Sequence, residues 1–263
     1  MHEQNISWME QIETLCAGAD QRHVDVIVDQ AGWSMSVLPA LNRMKPPMPW
    51  YSLFTHTPEE ALLDDAPILM RFALDDWAQK MWLEELLNEV APLSRLILLI
   101  SPLPFETLSV RLRGLSQLEW GGQTGTLRYF DPRVLRTLLE SVLSEAQRDR
   151  FLRVARFWGW LDRDRKPAWR EGAYEGDSAS SAETLPIELT DGQYDSLGCI
   201  GDAHSCTKLF ARDFPGISGE ESFACSYRLA CNASNDGYFG GLVNYYATHG
   251  AELYQRKGVD EGE

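Results

Sequence analysis

Apolar residues recur at two different periods along this chain, and the two periods alternate. Ile6, Met9, Ile12 and Leu15 return every three residues, which predicts a first helix over 3–17. Val24 to Asp29 is a short β-branched run that ends at Ala31-Gly32 and reads as a buried strand. A short amphipathic segment follows over 37–44, stopped by Pro46 and Pro47. Trp50–Phe54 is a second strand candidate. Thr57-Pro58-Glu59-Glu60 has an N-cap, a first-position proline and a capping-box glutamate, so it predicts a short helix before Pro67. Ile68–Leu74 and Leu96–Ser101 are apolar at successive positions, as in strands covered on both faces. Between them Trp77, Met81, Trp82, Leu86 and Val90 give a helix with a wide apolar stripe, capped by Asp75 or Asp76. A helix over about 105–114 follows Pro104.

Gln117–Trp120 and Thr126–Phe130 flank Gly121 to Gly125, which turn chemistry makes a hairpin. The loop lacks the Gly-Lys-Ser/Thr ending of a phosphate loop. Leu127–Phe130 then reads as a strand that passes straight into a helix over 132–143. Asp131 is its cap and Pro132 its first residue. Residues 148–161 read as helix, then strand. The pattern across 24–143 is that of α/β layers with some antiparallel pairing. It stops at 163–182, which is charged and then rich in Gly, Ser and Ala. Beyond it Thr190 and Gln193 open a helix to about Arg212, and helices over 219–231 and 237–256 follow. The expected organisation is an α/β lobe with a mixed sheet over 1–165, a linker or long loop over 166–186, and a small all-helical lobe over 187–263 with a frayed tail at 260–263.

Charge sharpens this division. The net charge is −15, and residues 171–263 hold 16 acidic against 5 basic side chains, while 1–170 hold 23 against 19. An acidic chain excludes sequence-independent nucleic-acid binding, which needs Lys and Arg on phosphates. The longest apolar run, Leu96–Ile100, falls far short of the roughly 20 residues that span a bilayer. The start lacks the basic, apolar, small-residue pattern of a secretory leader, and five cysteines are an odd number. Both features suggest a cytoplasmic protein with reduced thiols, without membrane insertion.

Candidate chemistry is sparse. There is no Gly-x-Ser-x-Gly elbow, no His-Glu-x-x-His and no Gly-x-Gly-x-x-Gly after a strand. No catalytic set, metal or cofactor is expected. Cys199, Asp202, His204 and Cys206 are the most metal-like group, but Cys-x6-Cys lacks tight zinc spacing, and thiols packed in a helical lobe are the simpler reading. Asp25 and Asp29 on the first strand could serve a sheet-end ligand site, with Arg128 and Arg133 as anion partners. Alternatively Asp29 caps a turn and the arginines pair with Asp131 or another acid. The tryptophans read as core except Trp169, which lies in the loop region and is expected to be exposed.

Several blocks, in order, resemble one known family. Val26–Ala31 is similar to its opening strand, with Gln30 in place of the more usual glycine. Trp50–Phe54, Thr57–Glu60 and Ala66–Leu69 are similar to its next block. Arg128-Tyr129-Phe130-Asp131-Pro132-Arg133 resembles its most recognisable motif. Leu189-Thr190-x-x-Gln193 and Asp236-Gly237-Tyr238 through His249-Gly250 resemble its helical tail. The family is that of the Tap/TEC adaptor-chaperones of bacterial type VI secretion. The resemblance implies a non-enzymatic cytoplasmic protein. Its partner would be a secreted effector (a cognate toxin), which it helps to load onto the VgrG spike. It also implies a mainly structural role for Asp29, Arg128, Tyr129, Phe130, Asp131, Pro132 and Arg133, with partner contact as the other use. The alternative is an α/β enzyme or small-ligand binder using Asp25, Asp29, Arg128 and Arg133.

Overall fold

A computed structural model describes residues 7–174 and 185–260, with side chains to residue 254. The sequence-predicted helix positions 3–6, linker positions 175–184 and tail 261–263 lie outside the described residues. The chain divides into two compact units. One comprises 1–139 and 143–188, the other 140–142 and 189–263.

The first unit is α/β. Six strands, β1 (His23–Asp29), β2 (Trp50–Ser52), β3 (Pro67–Ala73), β4 (Leu96–Ile100), β7 (Phe157–Leu161) and β8 (Pro167–Glu171), form one sheet in the order β2-β3-β1-β4-β7-β8. Every neighbouring pair in it is antiparallel. A smaller sheet is mixed: β5 (Gln117–Trp120) pairs antiparallel with β6 (Gln123–Thr126) and parallel with β9 (Ile187–Glu188). Helices α1 (Trp8–Gly18), α2 (Leu38–Leu41), α3 (Trp77–Glu89), α4 (Phe105–Leu115), α5 (Pro132–Thr137) and α6 (Glu145–Leu152) complete it. All five residues of β4 are buried, as are six of seven in β1. The unbroken apolar run of β4, and that of β1 apart from its aspartates, reflects cover on both faces of the central strands.

Several sequence expectations give way. Thr57–Glu60 opens no α-helix. Thr57 Oγ1 accepts from Glu59 N (3.3 Å), but the following bonds are tight three-residue turns leading to a 3₁₀ turn at Leu63–Asp65. The hairpin turn is two residues long, with Gly121 and Gly122 both at positive φ (56° and 75°), so strand β6 ends at Thr126. That backbone twist suits a two-residue hairpin, and glycine adopts it without a Cβ clash. The helix expected over 132–143 is α5 followed by a π-helical turn at Leu138–Val142. Linker positions 167–171 form β8, because Trp169 lies opposite Gly159 of β7. The absent side chain of Gly159 leaves room for that indole: a Cβ there would lie 2.5 Å from the Trp169 ring. Trp169 Nε1 donates to Gln11 Oε1 of α1 (3.0 Å), so this indole is half-buried rather than free in a loop.

The second unit contains α7 (Asp191–Asp213), α8 (Gly219–Asn235) and α9 (Leu242–Asp260). Thr190 caps α7 and Ser218 caps α8, each with a complete capping box. Cys206, Phe210, Cys225, Leu229, Tyr245 and Tyr246 meet in its core. The Tyr246 hydroxyl donates to Asp213 (2.8 Å), and Arg212 pairs with the same carboxylate (2.6 Å). Together these bonds hold the Asp213 carboxyl down at about 2.

Candidate functional site

The motif Arg128–Arg133 is not a strand in its first half. Tyr129 N bonds to Leu127 O (2.8 Å) and Asp131 N to Arg128 O (3.2 Å), which makes a tight irregular turn. Tyr129 and Phe130 are both fully buried. On a strand, neighbouring side chains point to opposite faces. The turn instead sets the two rings edge to face at 5.7 Å, and Tyr129 also meets Phe151 (5.3 Å) and Trp158 (6.1 Å). The Tyr129 hydroxyl donates to Leu112 O (3.0 Å), and burial pushes its pKa well above the usual tyrosine value.

The charged members of the motif are tied inward. Asp131 caps α5 by accepting from Arg133 N (2.9 Å). Its carboxylate also receives Nε and Nη2 of Arg133 (2.9 and 2.7 Å), which raises the pKa of Arg133. Pro132 occupies the first helical position and is buried. Arg128 Nη2 donates to Asp29 Oδ2 (2.6 Å), at the end of β1. The other Asp29 oxygen accepts from Ala31 N (3.1 Å). Arg95 donates to the carbonyls of Asp29 and Ala31 (3.1 and 2.8 Å). Asp29 therefore has both roles weighed from sequence, turn cap and arginine partner. Both arginine side chains remain about half exposed (49 % each).

Asp25 is elsewhere and already matched. It stands directly opposite Arg71 in the β1–β3 register, and both its oxygens receive that guanidinium (2.7 and 2.8 Å). Burial pushes the Asp25 carboxyl up, and the Arg71 bonds oppose this. Arg71 Nη2 also reaches Leu103 O (3.0 Å), and His23 Nε2 donates to Ser101 O (3.0 Å). Asp25 and Asp29 thus belong to two separate networks. Because the sheet is antiparallel, its strand ends alternate, and the ligand rule for parallel sheets does not gather these acids into one crevice. Sequence reasoning missed Arg71, Arg95 and His23 as partners; the register that supplies Arg71 is a cross-strand fact with no local signal.

Gln30 is fully buried. Its Oε1 accepts from Ser36 Oγ and Val37 N (both 2.8 Å), and Nε2 donates to Ala66 O (3.3 Å). It fixes the loop that follows β1. That loop and α2 face α3 across a groove of about 240 Å³.

In the helical unit Cys199, Cys206 and Cys225 are buried. Burial, with Cys231 beside it, pushes the Cys199 thiol up to about 12. Asp202 faces solvent, and His204 Nδ1 donates to Ile200 O (2.7 Å) with its ring against Phe223. Among the described residues no three His, Cys, Asp or Glu side chains gather as a metal-binding group.

Residues 26–150 match the family model described as a domain of unknown function, DUF4123. Over this stretch, just under half of its length, the chain is similar to DUF4123 domains. This is the domain associated with the Tap/TEC adaptors of type VI secretion effectors, so the matched region and the resemblance of the motif blocks agree. The match runs from β1 into α6 and leaves β7 and β8 of the same sheet outside it. Neither the curated proteins nor the solved structures compared with the chain gave a significant match. Among the described residues no helix is long and apolar enough to cross a membrane.

Proposed function

We propose that this chain is a non-enzymatic cytoplasmic adaptor that binds a type VI secretion effector and helps to load it onto the VgrG spike. The observation that carries the reading is the family match over 26–150, which includes the Arg-Tyr-Phe-Asp-Pro-Arg block. The geometry of that block supports it. Its two arginines bond Asp29 and Asp131 at 2.6–2.9 Å, and its aromatic residues are core. A motif of this kind stabilises a scaffold, and the α/β enzyme reading would need those same groups released toward a substrate.

The test is co-expression of the full chain with the proteins encoded beside it, among which this reading expects a large toxin, followed by affinity purification and gel filtration. The adaptor reading expects a complex that survives sizing. Recovery of the chain alone, with the toxin soluble in the same cells, would refute it.

A further inference from the structure

We propose that the α2–α3 face of the α/β unit is the docking surface for an amphipathic helix with an apolar stripe flanked by lysine or arginine. The inference rests on the adaptor reading only in that the client supplies this helix.

Large apolar side chains are exposed on α3, Trp77 (76 %) and Met81 (47 %), and on the loop that walls the groove, Met35 (64 %). Trp77 and Met81 sit at i and i+4 on α3, with Glu85 at i+8, so they form one line along the helix. The sequence pattern assigns Trp77 and Met81 to the buried stripe. The buried face instead falls on Gln79, Leu83, Leu86 and Leu87, rotated away from them. Gln79 is held there because its Oε1 accepts from Ala73 N (2.9 Å). The line reaches the groove at Glu85; the groove is walled by Trp33, Met35 and Pro39 on one side and Trp82, Glu85 and Glu89 on the other.

The size of the groove narrows the class of occupant. Small-molecule pockets run to about 300–1,000 Å³; at about 240 Å³ this one suits one or two side chains of a protein. Both walls are helical or loop, with no strand edge for an added strand to pair with. A helix would present side chains at i, i+3, i+4 and i+7 to such a surface. Tryptophan and methionine are the residues that anchor and adapt at contacts of this type.

Charge selects the flanks. Residues 75–89 carry five carboxylates, Asp75, Asp76, Glu84, Glu85 and Glu89, against Lys80, which already pairs with Glu13. Arg43 is the one cation among the groove's lining residues. Basic groups on the incoming helix would be attracted and oriented. A second copy of the chain seated here about a two-fold axis would set Glu85 and Glu89 against themselves. The wall is also preorganised, because Gln30 pins Ser36 and Val37, which lowers the ordering cost of binding.

The probe is a fluorescent 20-residue amphipathic peptide with leucine at helical spacing and lysine on the flanks; the control has glutamate at every lysine position. Anisotropy with the full chain is expected to show binding of the lysine peptide alone. Trp77→Ser with Met81→Ser, and separately Glu85→Lys with Glu89→Lys, should each weaken it at least tenfold. These side chains are exposed, so melting temperatures should stay at the wild-type value. Absence of binding, equal binding of the glutamate peptide, or binding indifferent to both variants would overturn the proposal. So would a dimer on sizing that disappears with Trp77→Ser, since a second copy would then cover the face. The same variants in the toxin co-purification separate the two readings. Toxin held equally by wild type and by the Trp77 and Met81 variant keeps the adaptor and removes this surface. Toxin not held by wild type removes the adaptor, and the peptide result still decides the surface.

Discussion

Arg128 and Asp29 are 99 positions apart in the chain, and their charged groups meet at 2.6 Å. The pair closes the family motif onto the end of the first strand. Asp29 is almost fully buried while Arg128 is half exposed, so the loss of each partner has unequal consequences. Arg128→Ala leaves a buried carboxylate with one backbone bond and should cost about 2 kcal/mol, below the cost for a fully buried pair because water can reach the site. A double-mutant cycle with Asp29→Ala, read by urea unfolding, should return a coupling of about 1–2 kcal/mol. Additive losses would show that the pair contributes nothing beyond its separate members.

Asp131 has two partners, the α5 backbone and Arg133. Asp131→Ala should lower stability by about 1 kcal/mol through the lost cap. Arg133→Ala keeps the cap and should cost less, since an exposed ion pair contributes about 0–1 kcal/mol. Pro132 should tolerate change better than Asp131. Thermal melts check the order. An Asp131→Ala protein that melts like wild type but no longer binds its partner would make the motif a contact site.

The Asp25–Arg71 pair is a deeply buried ion pair of the sheet, with side-chain exposures of 0 % and 15 %. Arg71→Met strands the Asp25 charge and should cost about 3 kcal/mol. Adding Asp25→Leu should recover most of that loss, because two apolar side chains opposite each other need no solvation. Denaturant midpoints of the single and double variants decide this, and a double variant weaker than Arg71→Met would contradict it.

His23 predicts a pH dependence. Burial lowers its pKa from the usual 6.5; Arg71 acts in the same direction, while Asp25 and the Ser101 carbonyl oppose it. The unfolded chain therefore takes up the proton first as pH falls. Stability from this group is fully present above about pH 6.5 and is lost as pH drops through the lower folded value. NMR titration of the ring should give a midpoint below 6.5. His23→Gln should flatten the fall in melting temperature between neutral pH and that midpoint.

Much of the fold is legible in the sequence because the central strands are buried on both faces, so Leu96–Ile100 is an unbroken apolar run and Val24–Val28 is apolar except for Asp25. The helix caps are legible for a different reason. Asp131-Pro132 and Thr190 with Gln193 satisfy backbone groups within four residues, so the signal is local. What is not legible depends on contacts between distant residues. Leu127–Phe130 has strand composition, yet its two rings are buried and pack edge to face on each other. Trp169 lies in charged surroundings, yet Gly159 makes space for it in the sheet. Trp77 fits the apolar stripe of α3 by spacing, and only the rotation fixed by Gln79 leaves it in water. For the candidate site, the pairing of Asp131 with Arg133 follows from proximity, whereas Arg71 and Arg95 are supplied by register and by a turn.

The π-helical turn at 138–142 contributes residues 140–142 to the helical unit, although the chain then returns to the α/β unit through residue 188. Gln193 of α7 donates to Val142 O (2.9 Å), so the short excursion is part of that unit's own bonding. The polypeptide therefore passes between the two units three times. Exchange of helical units between relatives cannot be achieved by one crossover after β9: the recipient would keep its own 140–142 beneath a foreign α7. Lineages that trade this unit would have to inherit both pieces together, as a discontinuous module whose smaller part lies inside the stretch that matches DUF4123.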